Sequence, residues 1–296
     1  MASAKDYTNA DVVRVELKDY GRSTGYCAIM TDGKSVRLRR VTSVLNLLDK
    51  PALVQWSANE CAAYVGELWK PSRGYSQAEI DGILGDARYA HRRKKDEAAG
   101  YGTMAHEIIE RFMKEGYWPD DAAWESIPFE VANSLALFSE WWTNAGLVEV
   151  VEAERYVWDM EFHYGGTCDL LARDKDGQLW LIDWKTGKGI YGTMILQLAA
   201  YFNALHKLGV KPVGAKIVQI GKTDAAPQIY EPTLDELREA WRAFGSLSRM
   251  HDFITANDKR LAELTKKHKQ QTAERLAQEQ SDRLATAAAL AAGGGA

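Results

Sequence analysis

The chain has 296 residues, 46% of them hydrophobic and 26% charged, an ordinary balance for a globular protein of one large domain or one domain with an appendage. No apolar run approaches the roughly 20 residues that span a bilayer, so no membrane partner is expected. Its three cysteines, Cys27, Cys61 and Cys168, are scattered and contain no CxxC pair, which leaves neither a disulfide framework nor obvious zinc or iron–sulfur ligands. The formal net charge of -4 argues only weakly against nucleic acid. A local basic groove suffices for binding, and metal-holding carboxylates push the total the other way. The N-terminus carries Asp6, Asp11, Glu16 and Asp19 and has no apolar stretch, so it reads as neither a signal nor a transit peptide, and a cytoplasmic location is expected.

Residues 1–40 read as an irregular or hairpin-like extension, with Asp32-Gly33 as a turn signal. A helix is expected from Thr42 or Ser43, either of which can cap it, until Pro51 stops it or opens the next helix over 52–70. The basic run His91 to Lys95 leads to a glycine joint at Gly100 and Gly102. A helix over 103–114 follows, with Ile108, Ile109 and Phe112 on one face. Another is expected over 129–145, where Trp141 and Trp142 read as core.

The pattern then changes from period 3.6 to period 2. Three strands are expected: 148–158, then, after a break at Gly165-Gly166, 167–173 and 179–184. The last two flank the turn Asp174-Lys175-Asp176-Gly177. A helix over 194–208 and a strand over 215–220 follow. Thr233 with Glu236 forms a capping box opening a helix to about Ile254. From there the chain reads as a polar helical arm ending in a disordered tip at Gly293-Gly294-Gly295. This order predicts an α/β (α+β) fold, a mixed central sheet flanked by helices. The organisation expected is an extension over 1–40, a main domain over 41–255 and the arm over 256–296.

Chemistry concentrates on the hairpin Gly166-Thr167-Cys168-Asp169 and Asp183-Trp184-Lys185-Thr186. Strand alternation sends Asp183 and Lys185 to one face, and a tight turn sets Asp169 opposite Asp183. Two carboxylates among Leu171, Leu179, Leu181 and Ile182 are costly unless paired or holding a cation, and oxygen donors suit magnesium or manganese. A plain hairpin closed by an Asp–Lys salt bridge is the alternative. His106 lies one turn into its helix, with Glu110 on the same face, and is open to a core or capping role. A zinc hydrolase built on His106 and Glu110 would lack the second histidine of His-Glu-x-x-His. Gln197 and Tyr201 share a helix face and can bond phosphate, or simply pack at the core boundary. Glu154, on the first strand, is the type of residue usually left solvated.

Taken in order, Gly102-Thr103-x-x-His106, Glu154, Gly166-Thr167-x-Asp169, Asp183-x-Lys185 and Gln197-x-x-x-Tyr201 resemble the RecB-like branch of the PD-(D/E)xK nuclease superfamily. The opening Val41-Thr42-Ser43-Val44-Leu45 is similar as well. The resemblance covers roughly residues 41–220 and implies a restriction-endonuclease-like core with a DNA exonuclease site at the sheet edge. It implies that His106, Asp169, Asp183 and the Trp184 backbone carbonyl hold Mg2+ or Mn2+. Lys185 would orient the attacking water, and Glu154 would assist. Gln197 and Tyr201 would hold the DNA backbone or Lys185, with Thr103, Thr186, Arg92 and Arg93 as further DNA contacts. Tyr101, Trp184 and Tyr191 could stack on bases, and 56–100 could cover the site. Cys168 replaces the proline of the family name. The four cysteines of iron–sulfur relatives are absent, so the chain resembles the cluster-free members, phage-encoded and mitochondrial genome-maintenance exonucleases. Its expected partners are DNA and a single-strand annealing or replication protein. A nuclease fold that has lost catalysis and serves as a DNA-binding or assembly module is the competing expectation.

Overall fold

The computed structural model describes residues 7–21, 24–221 and 226–293. The chain separates into two compact units, 1–247 and 248–296. In the first unit, β1 (Val12–Asp19), β2 (Thr24–Met30) and β3 (Ser35–Arg40) form an antiparallel meander. Of the two expectations for the extension, irregular or hairpin-like, its described residues from 12 onward take the hairpin-like one. Gly33, at φ 79°, supplies the left-handed residue of the Asp32-Gly33 turn between β2 and β3.

Helix α1 (Val41–Leu45) follows β3 without a gap, and its N-cap is Arg40. The expected cap at Thr42 or Ser43 is not used, because the chain enters the helix straight from β3. Helix α2 (Pro51–Leu68) opens with Pro51 at its first turn, where a missing N–H costs nothing. Helix α3 (Gln77–Ala87) is opened by a capping box. Glu79 N donates to Ser76 Oγ at 3.3 Å, and Ser76 N donates to Glu79 Oε2 at 2.9 Å.

Helix α4 (Ala90–Glu115) runs unbroken through Gly100 and Gly102, so the expected glycine joint is absent. The basic run is its first turn and a half. Two glycines cost a helix about 2 kcal/mol together relative to alanine, a sum that 26 residues and a buried face absorb. The helix ends at Gly116, whose φ of 68° makes a left-handed cap. Helix α5 (Asp121–Ser126) is capped by Asp120, and α6 (Phe129–Asn144) matches the expected helix.

Strands β4 (Leu147–Asp159), β5 (Tyr164–Asp174) and β6 (Leu179–Lys185) form the hairpin array. Gly165 and Gly166 do not break it; they lie inside β5. Each has a ring where a side chain would stand, a Cβ on Gly165 meeting Tyr26 at 2.9 Å and one on Gly166 meeting Tyr201 at 2.3 Å. Helix α7 (Gly192–Lys207) returns the chain to β7 (Gly214–Gln219), parallel to β6, and β8 (Gln228–Tyr230) closes the edge. The Thr233–Glu236 capping box forms, with Thr233 N on Glu236 Oε2 at 2.7 Å and Glu236 N on Thr233 Oγ1 at 3.2 Å. It opens α8 (Leu234–Gly293), which does not stop near Ile254.

The eight strands make one sheet in the order β1-β2-β3-β5-β6-β7-β8, with β4 also on β5. Because β4 lies along the whole of one edge of β5, the other edge is divided. It takes β3 in parallel at Tyr164 and Gly165, then β6 antiparallel at Leu170 to Arg173. The sheet forks in between, over residues 166–169.

One core fills the space between the sheet and α1, α7 and the start of α8, through Leu171, Leu181, Leu198, Tyr201, Ile217 and Phe244. A second packs α4 and α6 on the sheet through Ile109, Phe138, Trp141, Ile182 and Trp184. Phe138 is fully buried and meets Trp184 edge-on, with ring centroids 5.6 Å apart. Burying each such ring stabilises the fold by about 1.5–3 kcal/mol. A third, smaller core of Tyr26, Met30, Leu38 and Met160 fixes the meander. In the second unit, Leu261, Leu264, Leu276 and Leu284 are exposed along α8. Of the expected tip, Gly294 and Gly295 lie outside the described residues. No helix among the described residues is long and apolar enough to cross a membrane.

Candidate active site

The fork in the sheet opens into a cleft of about 570 Å³. Its floor is β5 from Gly165 to Asp169. One side is built by the end of β6, Lys185 and Thr186, and the other by Arg40, Val41 and Thr42 where β3 becomes α1. Thr103, His106, Glu107 and Glu110 of α4, and Gln197 and Tyr201 of α7, complete it.

Three glycines make this space. Besides Gly165 and Gly166, a Cβ on Gly102 would lie 2.9 Å from Thr186 Oγ1. Gly102 is therefore the point where α4 closes on the β6 exit, a packing role that a local reading mistakes for a helix break.

The hairpin register pairs Leu170 with Ile182, and its continuation sets Asp169 opposite Asp183. The ladder does not continue as backbone pairing. Trp184 N donates instead to Asp169 Oδ2 at 2.9 Å. Asp169 is 8% exposed and Asp183 is 1% exposed. The Lys185 ammonium forms an ion pair with Asp183. Otherwise neither Asp183 carboxylate oxygen has a hydrogen bond among the described residues. Burial opposes the Lys185 charge, but Asp183 and Asp169 outweigh it and hold its pKa above the ordinary value. Burial and the facing Asp183 drive the Asp169 carboxyl well upward.

His106, Glu154 and Asp169 present ligand atoms that all lie within 4.8 Å of one another. Glu154 sits on β4 with φ 54°, a left-handed backbone that costs a non-glycine residue about 1–2 kcal/mol. Burial, then Glu110, raises its pKa to about 7. Burial, then the Lys185 charge, lowers His106 to about 4, so its ring is neutral at pH 7 and can donate a lone pair. Gln197 Nε2 donates to the Tyr201 hydroxyl at 2.9 Å, and Tyr201 is 4% exposed with its phenol pKa raised by burial and by Asp183.

The residues implied by the sequence divide into two groups. His106, Glu154, Asp169, Lys185, Thr103, Thr186, Gln197 and Tyr201 share the cleft, with Asp183 directly behind it. Glu154, expected only to assist, stands in the converging trio, and Asp183 is engaged by Lys185. Arg92 and Arg93 do not line the cleft. Arg92 lies over Tyr89 and Arg93 over Tyr64, with Arg93 also bonded to the Asp86 carbonyl. The Trp184 ring is buried against Phe138 and Trp141 and cannot stack on a base. Tyr101 is partly buried and bonded to Glu97, while Tyr191 is exposed. Of the expected cover over 56–100, only Ala98 and Ala99 reach the cleft. Glu110, the zinc-hydrolase candidate, is paired with Lys114 at 2.5 Å.

Sequence reasoning missed Arg40 and Tyr26, and quoted Thr167 within its motif without giving it a role. The Tyr26 and Thr167 hydroxyls are hydrogen-bonded at 2.7 Å, tying β2 to the cleft floor. The one signal for Arg40 was its position next to the Val41-Thr42 segment.

A family model described as the PD-(D/E)XK nuclease superfamily matches residues 79–293. The chain belongs to the PD-(D/E)XK nuclease superfamily. The mixed sheet with helices on both faces is the restriction-endonuclease-like fold of this superfamily. The match begins after β1–β3, α1 and α2, so Leu17, Tyr26 and Arg40 come to the cleft from outside it. Among solved structures, a protein from Eubacterium rectale provisionally named an exonuclease is 12% identical, with 62% of this chain and 68% of that one covered at a TM-score of 0.30. A protein named SSO0001 is 16% identical, with 49% and 71% covered at 0.24. A comparison with curated proteins gave no match.

Proposed function

We propose that the protein is a divalent-metal-dependent DNA exonuclease of the RecB-like, phage type, acting in replication, recombination or repair in the cytoplasm. The observation that carries this reading is the convergence of His106, Glu154 and Asp169 in one cleft beside the Asp183–Lys185 pair. A neutral imidazole, two carboxylates and a buried carboxylate engaged only by Lys185 are the donor set of a hard divalent cation, Mg2+ or Mn2+. His106, Glu154 and Asp169 would hold it, with Asp183 and the Trp184 carbonyl completing the set. When bound, the cation supplies neutralisation of phosphate charge and acidification of water.

The protein's own residues supply the remainder. Lys185, kept protonated by Asp183 and Asp169, sets a fixed positive charge beside the phosphate, where charge grows as the bond breaks. Gln197 and Tyr201, already bonded to each other, hold the DNA backbone or the Lys185 side chain. Thr103 and Thr186 offer hydroxyls to phosphate oxygens from the two sides of the cleft. The three glycines leave room for a strand above the floor. DNA is thus the proposed substrate, with a single-strand annealing or replication protein as partner of the arm over 256–296 and catalysis confined to 41–255 and the meander.

The test is cleavage of end-labelled single- and double-stranded DNA, with magnesium or EDTA. Magnesium-dependent loss of label is expected, falling at least a hundredfold in Asp183→Ala and Lys185→Ala, the usual scale for a lost electrostatic stabiliser, about 10²–10³. A folded protein that binds DNA and leaves both substrates intact would instead be a binding module. Activity surviving both substitutions would move the site elsewhere.

A further inference from the structure

Behind the cleft, the exit of β6 is held by a group of side chains with no part in the reading above. Ile220 N donates to the Lys185 carbonyl at 2.9 Å, the last bond of the β6–β7 pairing. Gln219, level with Lys185 in that register and 6% exposed, folds back, and its Nε2 donates to the Gly187 carbonyl at 2.6 Å. The Gly221 carbonyl is held in turn from α6, by Asn133 Nδ2 at 3.2 Å and Ser134 Oγ at 3.4 Å.

The group fits together only as built. A Cβ on Gly221 would stand 2.5 Å from Gln219 Nε2 and 3.6 Å from the Gly187 oxygen. Gly221 is thus the vacancy into which the Gln219 amide turns. A buried amide needs a partner, and this one spends its donor on the turn that follows Lys185. Thr186, between Lys185 and Gly187, has its Oγ1 where a Cβ on Gly102 would come within 2.9 Å, so α4 leaves it no spare room on that side. The segment Lys185-Thr186-Gly187 is therefore bonded at both of its end carbonyls.

From this geometry we infer that Gln219 is a positioning residue for Lys185, acting through the Gly187 carbonyl and not by touching substrate. The inference rests on the nuclease reading, in which Lys185 must stand at a set place beside the phosphate. With the clamp released, the turn after Lys185 moves, and the ammonium and the Thr186 hydroxyl lose their aim. Thr186 is one of several phosphate contacts in that reading, beside Thr103, Gln197 and Tyr201, so binding falls far less than turnover.

The test uses the full chain and three substitutions. Gln219→Leu removes the donor, Gln219→Glu faces an acceptor to the Gly187 carbonyl, and Gly221→Ala pushes an intact Gln219 amide off it. The expected result is a fall in kcat of about ten- to a hundredfold, the scale of a roughly 1 Å displacement of a reacting group. KM on DNA should stay within about twofold. The double variant Gln219→Leu with Gly221→Ala should be no worse than Gln219→Leu alone, since both break one contact. Amide hydrogen exchange over 186–191, which needs no catalysis, should quicken while the melting temperature holds. Unchanged kcat in a folded Gln219→Leu, unchanged exchange, a KM rise matching the kcat fall, or failure of all three variants to fold would each overturn the inference. If the parent protein does not cleave DNA, the nuclease reading fails, and exchange over 186–191 alone decides whether the clamp exists.

Discussion

Asp169, Asp183 and Glu154 bring more negative charge beside His106 than their surroundings solvate, and the protein meets this in two ways. Lys185 offsets one carboxylate, and burial shifts the remaining groups toward neutrality. The sign of the resulting pH dependence follows from Glu154. Its pKa of about 7 lies above the ordinary 4.5, so below pH 7 it carries a proton that a cation must displace. His106, at about 4, carries no proton across this window and opposes nothing. Asp169, driven well upward as well, adds a second proton to displace, so affinity for Mg2+ or Mn2+ should rise with pH, by at least about tenfold per unit below 7. Calorimetric titration at pH 6 and 8 measures this; equal affinities would mean that neither carboxylate is a ligand, and Glu154→Gln should make the slope shallower. Gly166 is limiting in another sense. In Gly166→Ala the new methyl meets a Tyr201 ring that has nowhere to go, at a cost of about 1–3 kcal/mol. Thermal unfolding should show a lower midpoint and cleavage a lower rate; a variant equal to the parent would mean the ring yields freely.

At the scale of elements, β5 decides where the site lies. It is the only strand among those described with three neighbours, because β3 and β6 share one of its edges in succession. The stretch between them leaves backbone and side chains open to a ligand. The meander does more than extend the sheet, since its last residue, Arg40, lines the cleft. The partner it shows is the neutral Thr24 hydroxyl at 3.1 Å, whereas Lys185 is already engaged by Asp183. Arg40 is therefore the cation best placed to meet a polyanion. Arg40→Ala should weaken DNA binding without changing kcat and lower the salt slope by about one ion. Fluorescence anisotropy in EDTA across a salt series reads this directly, and an unchanged slope would exclude a phosphate contact.

At the scale of the whole molecule, every residue lining the cleft lies between Leu17 and Tyr201, inside the first unit. The described part of the second unit is helical, and Leu261, Leu264, Leu276 and Leu284 are exposed along it. A chain ending at residue 255 should keep its thermal transition and its cleavage rate on naked DNA. A lost transition would make the arm part of the folding unit, and a lost rate alone would make it part of the substrate path.

The sequence alone determined the hairpin. Alternation along β6 and the Asp174–Gly177 turn set Asp183 with Lys185 and opposite Asp169, because register in a tight hairpin is local. It also determined most helices, through caps and period, and the ordered motifs that pointed to the family. Where local signals misled, glycine was the usual cause. Gly102, Gly165 and Gly166 read as breaks but exist for close approach by Thr186, Tyr26 and Tyr201, partners that only the fold names. Tertiary structure alone brought Glu154 to His106, turned Arg92 and Arg93 away, buried the Trp184 ring and carried Arg40 across to β5. Each of these depends on strand order and on which helix packs on which face. Such contacts join residues tens of positions apart, and no pattern within a single element encodes them.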